Sequence, residues 1–184
     1  MPARLRRCLV CSSSGLAVLR SRAPVEADPF PPESFDAVWI PNCFEQLAEP
    51  PASTLDRVRR LLRPGGLLVL RTPTADFVSL AYRCPAPVGR LLLSGSNLTG
   101  VPYLRCYSEP ALRQLLEGAG FTRIAARGRF PTSLAASAYG STPLAIRSVR
   151  DPLFGLVSRL RRRLCFPWMD VTARRPPRRA PREP

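Results

Sequence analysis

The stretch covering residues 32–73 constrains the fold of this 184-residue chain more than any other. It begins with a short apolar run rich in β-forming residues, DAVWI at 36–40, which suits a buried strand. A second run of this kind, LLVL, occupies 67–70. Between the two runs, apolar residues recur at helical spacing. Two apolar strands joined through a helix predict a right-handed βαβ unit of a parallel sheet.

The helix of this unit has recognisable start and stop signals. Ser53 or Thr54 is predicted to cap its first turn. Pro64, Gly65 and Gly66 are expected to stop it, because proline cannot continue a helix and glycine accepts a left-handed turn. The apolar face is formed by Leu55, Val58, Leu61 and Leu62.

The motifs SFDAV, FEQL and RLLRPGGLLVLRTP, in this order, resemble the second half of a class I S-adenosylmethionine-dependent methyltransferase of the small-molecule branch called type 11 or type 12. That family shows a Phe-Asp-hydrophobic strand, an E-H-L loop, a helix ending in L-x-P-G-G and a strand ending in T-P. The matching residues are Asp36, Glu45, Leu47, Leu62, Pro64, Gly65, Gly66 and Pro73. Gln46 stands where the family usually has histidine.

The resemblance implies an α/β fold: an incomplete Rossmann-like sheet, mostly parallel with an antiparallel last strand, flanked by helices. It divides the chain into a basic, poorly ordered segment at 1–14, a partial methyltransferase-like domain at 15–173 and a disordered Arg/Pro tail at 174–184. Residues 15–19 are expected to form the strand that precedes the core unit. The final strand is expected at 168–173, in the region of the sheet edge.

The resemblance also implies S-adenosylmethionine as the cofactor, but the cofactor motif is missing from the sequence. In the family, a D-x-G-x-G turn after the first strand holds the methionine portion, and an acidic residue after the second strand binds the ribose. Gly15 is the only glycine among the first 60 residues. We therefore expect a truncated domain, either a weakly binding enzyme or an inactive one, with an exposed sheet edge open to self-association.

Candidate site residues follow from the resemblance. Those for the cofactor are Glu26, Asp28, Phe30, Asn42, Cys43 and Phe44, and those for the substrate are Thr72 and Pro73. Methyl transfer to oxygen or nitrogen needs alignment and a proton acceptor. Because the chain has no histidine, the acceptor would be Glu45, Tyr103 or solvent. Tyr103 replaces a family histidine and could instead pack beneath a lid, and Glu26 or Asp28 could be a solvated loop acid.

Further elements follow the core unit along the chain. Residues 74–83 predict a short helix, and the segment 84–107 is where the family places elements that cover the substrate. Ser108 is a suitable cap for a helix that Gly118 and Gly120 end, and 122–127 predict a strand. Residues 152–164 predict a basic amphipathic helix, which could lie on an anionic membrane or pack on the sheet.

Charge separates the ends of the chain from its middle. All 28 basic residues are arginines, against 13 acidic residues, and the net charge is +15. Residues 1–22 carry five arginines without an acid, and 147–184 carry 11 arginines against three acids. An alternative function is therefore a non-catalytic basic protein that binds nucleic acid or an anionic membrane non-specifically through these ends. No stretch of the sequence has the 18 consecutive apolar residues of a membrane-spanning helix.

The first 22 residues allow several interpretations. They resemble a mitochondrial transit peptide in composition, since they are rich in arginine and serine and contain no acid. Cys8 and Cys11 could form half of a zinc site, but there is no histidine and no second CxxC pair to complete it. We expect free thiols in a cytoplasmic protein that binds no metal.

Overall fold

A computed structural model describes residues 8–12, 15–18, 21–23, 30–96, 98, 103–129, 152, 156, 159 and 166–178. The strands are β1 (Cys8–Ser12), β2 (Gly15–Val18), β3 (Ser21–Ala23), β4 (Phe35–Pro41), β5 (Leu62–Pro73), β6 (Thr122–Arg129) and β7 (Trp168–Arg174). The helices are α1 (Pro51–Leu61), α2 (Ala75–Arg83), α3 (Ala86–Gly95) and α4 (Glu109–Gly118). The strands form one sheet in the order β3-β2-β1-β4-β5-β7-β6.

The predicted βαβ unit is confirmed, and it forms the centre of the sheet. β4 and β5 pair in parallel, with Ala37 opposite Leu67 and Trp39 opposite Val69. Helix α1 connects them and buries Leu55, which is fully covered. Since parallel strands bury both faces, this pair can be apolar along most of its length.

The ends of α1 differ from the predicted ones. The first residue of the helix is Pro51, and no side chain caps the helix start. Proline suits this position because its fixed φ matches a helix and its missing N–H would be unpaired there. Thr54 instead lies inside the helix, where its hydroxyl donates to Glu49 across 3.4 Å. The predicted cap at Ser53 or Thr54 is therefore wrong.

The Pro-Gly-Gly sequence lies within β5 and shifts its register. Phe35 pairs with Leu62, whereas Ala37 pairs with Leu67, so extra residues of β5 bulge at this point. Gly65 has φ +79°, which L-residues rarely adopt. A Cβ atom on Gly66 would stand 2.8 Å from the carbonyl oxygen of Arg63. Both glycines are thus required by the turn that ends α1 and starts the regular part of β5.

The strands before the core unit differ from the expectation of a poorly ordered segment and an exposed edge. Cys8–Ser12 forms β1, which pairs with β4 in parallel and covers its free side. Gly15–Val18 is a strand as predicted, but it pairs antiparallel with β1 and not with β4. The apolar sequence CLVC explains why this segment joins the sheet. The expected open edge beside β4 is therefore occupied.

The other half of the sheet is antiparallel. β7 runs between β5 and β6 and pairs antiparallel with both, so it lies inside the sheet and not at its edge. Asp170 of β7 accepts hydrogen bonds from Arg71 of β5 at 2.6 and 3.1 Å and forms an ion pair with Arg129 of β6 at 2.7 Å. The predicted antiparallel last strand is confirmed. The expectation of a mostly parallel sheet holds only for the pairs β1–β4 and β4–β5 among the described strands.

The first residues of the Arg/Pro tail are held against the domain. The guanidinium of Arg175 donates to the carbonyl oxygen of Leu62 at 2.5 Å and to the carboxylate of Glu33 at 2.9 Å. Arg178 donates to the same carboxylate at 2.7 Å. Residues 174–178 therefore contact the domain, and a disordered tail from residue 174 stays a prediction. Residues 179–184 lie outside the described part.

Two apolar clusters hold the elements together. The larger one lies between the sheet, α1 and α4, and the predicted cap of α4 is confirmed because Ser108 accepts a hydrogen bond from the Ala111 amide. The smaller one joins Phe77 of α2, Leu98 and Trp168 of β7, and the Trp168 indole donates to Ser96 across 2.8 Å. The remaining predicted amphipathic helix at 152–164 lies mostly outside the described residues.

The alternating burial of β5 yields a testable prediction. Leu68 is fully buried, whereas its neighbour Leu67 points to the other face and is only partly covered. Replacing Leu68 by alanine leaves a cavity, so we expect a loss of about 2–5 kcal/mol in the free energy of unfolding. Leu67→Ala should cost clearly less. Urea unfolding of both variants checks this, and equal losses would contradict the assigned faces.

Candidate functional site

Polar and aromatic side chains gather where β4 and β5 end, at the carboxyl edge of the central parallel pair. Ligands of open α/β sheets bind at this edge, because the strand ends and the following loops leave a crevice there. β4 is followed by Asn42, whose φ is +53° and whose amide donates to the Arg71 carbonyl oxygen at 3.0 Å. The Gln46 side chain then donates to the Asn42 carbonyl oxygen at 3.0 Å. These bonds fix the short 3₁₀ turn that carries Glu45.

Glu45 is fully buried, although its side chain is a carboxyl group. Its backbone carbonyl oxygen accepts hydrogen bonds from the amides of Leu104 and Arg105, each at 3.2 Å. Neither carboxyl oxygen makes a hydrogen bond of good geometry to the described residues. A buried polar group without a partner is costly, and such groups in native proteins are concentrated at functional sites.

Two further hydroxyl groups share this condition on the neighbouring elements. Thr72, near the end of β5, is fully buried, and its hydroxyl makes no hydrogen bond of good geometry to the described residues. The same holds for the hydroxyl of Tyr107. The ring of Tyr107 packs on Phe44 at a centroid distance of 5.5 Å. The backbone of Tyr107 bridges to Thr74, just after β5.

The electrostatics assign different states to the acidic groups of the cluster. Burial raises the pKa of Glu45, and weaker interactions with its own backbone, Thr72 and Gln46 offset only part of this effect. Burial, followed by repulsion from the Glu45 carboxylate and Cys106, raises the pKa of Tyr103 to about 12. Tyr103 is therefore protonated at neutral pH and can donate a hydrogen bond, whereas Glu45 holds its proton more tightly than an ordinary glutamate does.

The structure brings together only some of the predicted site residues. Glu45 and Tyr103 are electrostatically coupled, and Thr72 lies near Glu45. Cys43 and Phe44 are buried beside them, Pro73 is buried at the end of β5, and Asn42 is exposed. Tyr103 is half-buried and also packs against the smaller apolar cluster, which agrees with the packing alternative.

The remaining predicted residues lie elsewhere. Phe30 contacts Phe35 edge-to-face at 5.2 Å, at the amino end of β4, so it is at the opposite edge of the sheet from Glu45. Its prediction as a cofactor contact is therefore not supported. Glu26 and Asp28 lie outside the described residues. Tyr107, the aromatic residue just before Ser108, was not predicted as a site residue.

The cofactor that the resemblance implies does not fit the described residues on the β1 side. Ser12, the last residue of β1, pairs with Gly15 of β2, and the two residues between them are serines. β1 therefore returns as an antiparallel strand, whereas a cofactor turn leads from a strand into a helix. Because β2 runs antiparallel to β1, its carboxyl end lies on the side of the sheet where β1 and β4 begin. These residues cannot cradle the methionine portion or supply the acidic ribose contact.

One cavity among the described residues lies away from Glu45. It is a groove of about 490 Å³ on the outer side of α1, lined by Ser53, Asp56, Arg57, Arg59 and Arg60. Two of these arginines are already in ion pairs, Arg57 with Glu49 at 3.0 Å and Arg59 with Asp56 at 3.9 Å. Within the described residues, no group of three His, Cys, Asp or Glu side chains could hold a metal ion. None of the described helices is long and apolar enough to cross a bilayer.

The fold and the polar edge define a class of protein: an α/β protein with a Rossmann-like methyltransferase fold. A family model described as "Methyltransferase domain" matches residues 11–70. A search of curated proteins found no match. The family match covers β4, α1 and β5 as far as Leu70.

Solved structures support the same fold. A Thermotoga maritima protein described as a methyltransferase, possibly a histamine N-methyltransferase, is 15% identical with a TM-score of 0.50; the match covers 84% of this chain and 62% of that one. An S-adenosylmethionine-dependent methyltransferase from Mesorhizobium loti is 21% identical with a TM-score of 0.50, over 84% and 68% of the two chains. The chain spans 41%, 62% and 58% of the length of three solved chains that match it.

These findings confirm the resemblance predicted from the sequence: residues 11–70 match a methyltransferase-domain model, and the fold is that of S-adenosylmethionine-dependent methyltransferases.

The raised pKa of Glu45 predicts how stability depends on pH. The folded protein binds the proton of Glu45 more tightly than the unfolded chain, whose glutamates titrate near 4.5. The contribution of Glu45 to stability therefore falls as the pH rises above 4.5 towards the raised value, where the carboxyl group ionises in the folded state. Glu45→Gln removes this loss, so we expect the variant to gain stability relative to the wild type as the pH rises.

Urea unfolding between pH 4 and pH 8 measures this difference. Glu117→Gln is the matched control, because Glu117 is exposed on α4. Its stability should follow that of the wild type over the same pH range. A constant difference between Glu45→Gln and the wild type would contradict a raised pKa of Glu45.

Proposed function

We propose that this protein is an S-adenosylmethionine-dependent methyltransferase that acts on a small-molecule acceptor at the carboxyl edge of β4 and β5. The observation that carries the proposal is Glu45, a fully buried carboxyl group without a hydrogen-bond partner of good geometry among the described residues. A small acceptor with a hydroxyl or amine group would supply the missing partner. Because Glu45 lies at the end of a central parallel strand, its place agrees with the ligand edge of such sheets.

Glu45 and Tyr103 take different parts in this proposal. A carboxylate with a raised pKa is a better base, so Glu45 accepts the proton that the acceptor group loses. Tyr103 remains protonated and donates a hydrogen bond that orients the acceptor. Thr72 and Pro73 form the wall on the β5 side, and the Thr72 hydroxyl offers a further polar contact.

Cofactor binding is the part of the proposal that the chain supports least. Asn42, Cys43 and Phe44 follow β4 and border the edge where S-adenosylmethionine would lie. The hairpin of β1 and β2 leaves the methionine portion without a cradle. We therefore propose weak cofactor binding that uses the β4 side alone.

Titration of the chain with S-adenosylmethionine, followed by calorimetry and by amide NMR shifts, tests this proposal. We expect a dissociation constant well above the micromolar range, with shifts confined to Asn42, Phe44, Glu45 and the segment at 103–107. The Phe30 amide serves as the internal control and should not move. Shifts that avoid the carboxyl edge, or no shifts at saturating cofactor, would overturn the proposed function. Low-micromolar affinity would instead contradict our account of the β1 side.

The alternative function, binding of nucleic acid or an anionic surface through the Arg-rich ends, gains no support from the described residues. Arg175 and Arg178 are both bonded to Glu33, and Arg174 donates to the Gly65 carbonyl oxygen at 2.9 Å. These side chains are partly neutralised or used for folding. A cytoplasmic location is also part of our proposal, and the free thiols of Cys43, Cys84 and Cys106 agree with a reducing compartment.

A further inference from the structure

The α2–α3 hairpin presents an apolar surface that the described core clusters do not use. Its two helices touch at the backbone, since a Cβ atom on Gly89 would stand 2.4 Å from the carbonyl oxygen of Ala81. The inner side of the hairpin is occupied, because Phe77 and Ala81 are almost fully buried and Leu92 and Leu93 are partly buried against the smaller apolar cluster. The core therefore needs no more apolar side chains from this hairpin.

Three large apolar side chains nevertheless project from the hairpin into solvent. Tyr82, in the last turn of α2, is 77% exposed, and Leu91 of α3 is 72% exposed. Val88 lies one helical turn before Leu91, on the same side of α3, and is 47% exposed. Single exposed apolar residues are common on protein surfaces, but several on one short hairpin indicate a contact surface. We call Tyr82, Val88 and Leu91 the apolar ridge.

Beyond Asp76, in the first turn of α2, the hairpin carries charge of one sign. From residue 77 to residue 108 the sequence contains three arginines and neither aspartate nor glutamate. Two of these arginines, Arg83 and Arg90, are exposed on the hairpin beside the ridge residues. This contrasts with the balanced middle of the chain, where 12 arginines face 10 acids between residues 23 and 146. The chemistry that complements the hairpin is therefore apolar and anionic at once.

We propose that the α2–α3 hairpin binds the surface of an anionic lipid bilayer. Leucine, valine and tyrosine side chains enter the boundary between headgroups and acyl chains, and arginines remain at the phosphates. Tyrosine suits this boundary because its ring is apolar and its hydroxyl is polar. A nucleic acid would complement Arg83 and Arg90 but not Val88 and Leu91, so the ridge favours lipid. This proposal does not depend on the methyltransferase function.

Co-sedimentation of the full chain with lipid vesicles tests the proposal. We expect binding to vesicles of phosphatidylcholine and phosphatidylglycerol in equal parts, and much less to phosphatidylcholine alone. The double variant Tyr82→Ser with Leu91→Ser removes apolar surface that the bilayer would bury. It should therefore weaken partitioning into the vesicles by roughly tenfold or more. Arg83→Gln and Arg90→Gln should each weaken it by about fivefold, and added salt should reduce these differences.

Leu156→Ser is the matched control, since Leu156 is 53% exposed but lies outside the hairpin. It should bind like the wild type. All substitutions are at exposed positions, and circular dichroism of each variant checks that it is folded. If Leu156→Ser loses binding while the ridge variants retain it, the C-terminal segment binds lipid and the proposal is wrong.

Two other results would also overturn the proposal. Equal binding to neutral and anionic vesicles would remove the role of the arginines. If light scattering shows a wild-type dimer that the ridge substitutions dissociate, and vesicles bind neither form, the ridge is an interface between copies of the chain. The proposal is supported if the folded wild type binds anionic vesicles and only the ridge variants lose this binding.

Discussion

The parallel pairing of β4 with β5 is the constraint on which the rest of the structure depends. Its strands are apolar on both faces, so each face must be covered for the pair to be stable. α1 and α4 cover one face and form the larger apolar cluster with it. α2 and Trp168 form the smaller apolar cluster. The outer edges of the pair are covered by β1 and β7. The candidate site is a further consequence of this pairing, because its residues lie just beyond the two strand ends.

Features set by neighbouring residues could be predicted from the sequence. The apolar runs gave β4 and β5, and helical spacing gave the buried side of α1, because these patterns depend only on local geometry. Ser108 was recognisable as a cap because its hydroxyl accepts a hydrogen bond from the backbone amide of Ala111, only three residues further along the chain. The same rule failed at Ser53 and Thr54. There, Pro51 starts the helix earlier, and proline at the first position needs no cap for its nitrogen.

Features set by distant residues could not be predicted. Asp170 pairs with Arg71 across 99 positions, and Arg175 reaches Leu62 across 113. No local pattern indicates that β7 enters the sheet between β5 and β6, since its alternation is equally suited to an edge strand. Phe30 shows the same difficulty in the site. It was predicted to contact the cofactor, but its edge-to-face packing on Phe35 places it at the amino end of the sheet.

The two sides of the candidate site therefore depend on different parts of the chain. The proposed acceptor side comprises Glu45 and Thr72, which lie at the ends of the central pair, where the bridge between Thr74 and Tyr107 holds the following segment. These residues stay in place as long as β4 and β5 are paired. The cofactor side would require the turns after β1 and β2, where this chain has a hairpin. A buried carboxyl group without a hydrogen-bond partner of good geometry destabilises the fold, so its place at this edge is better explained by binding than by stability.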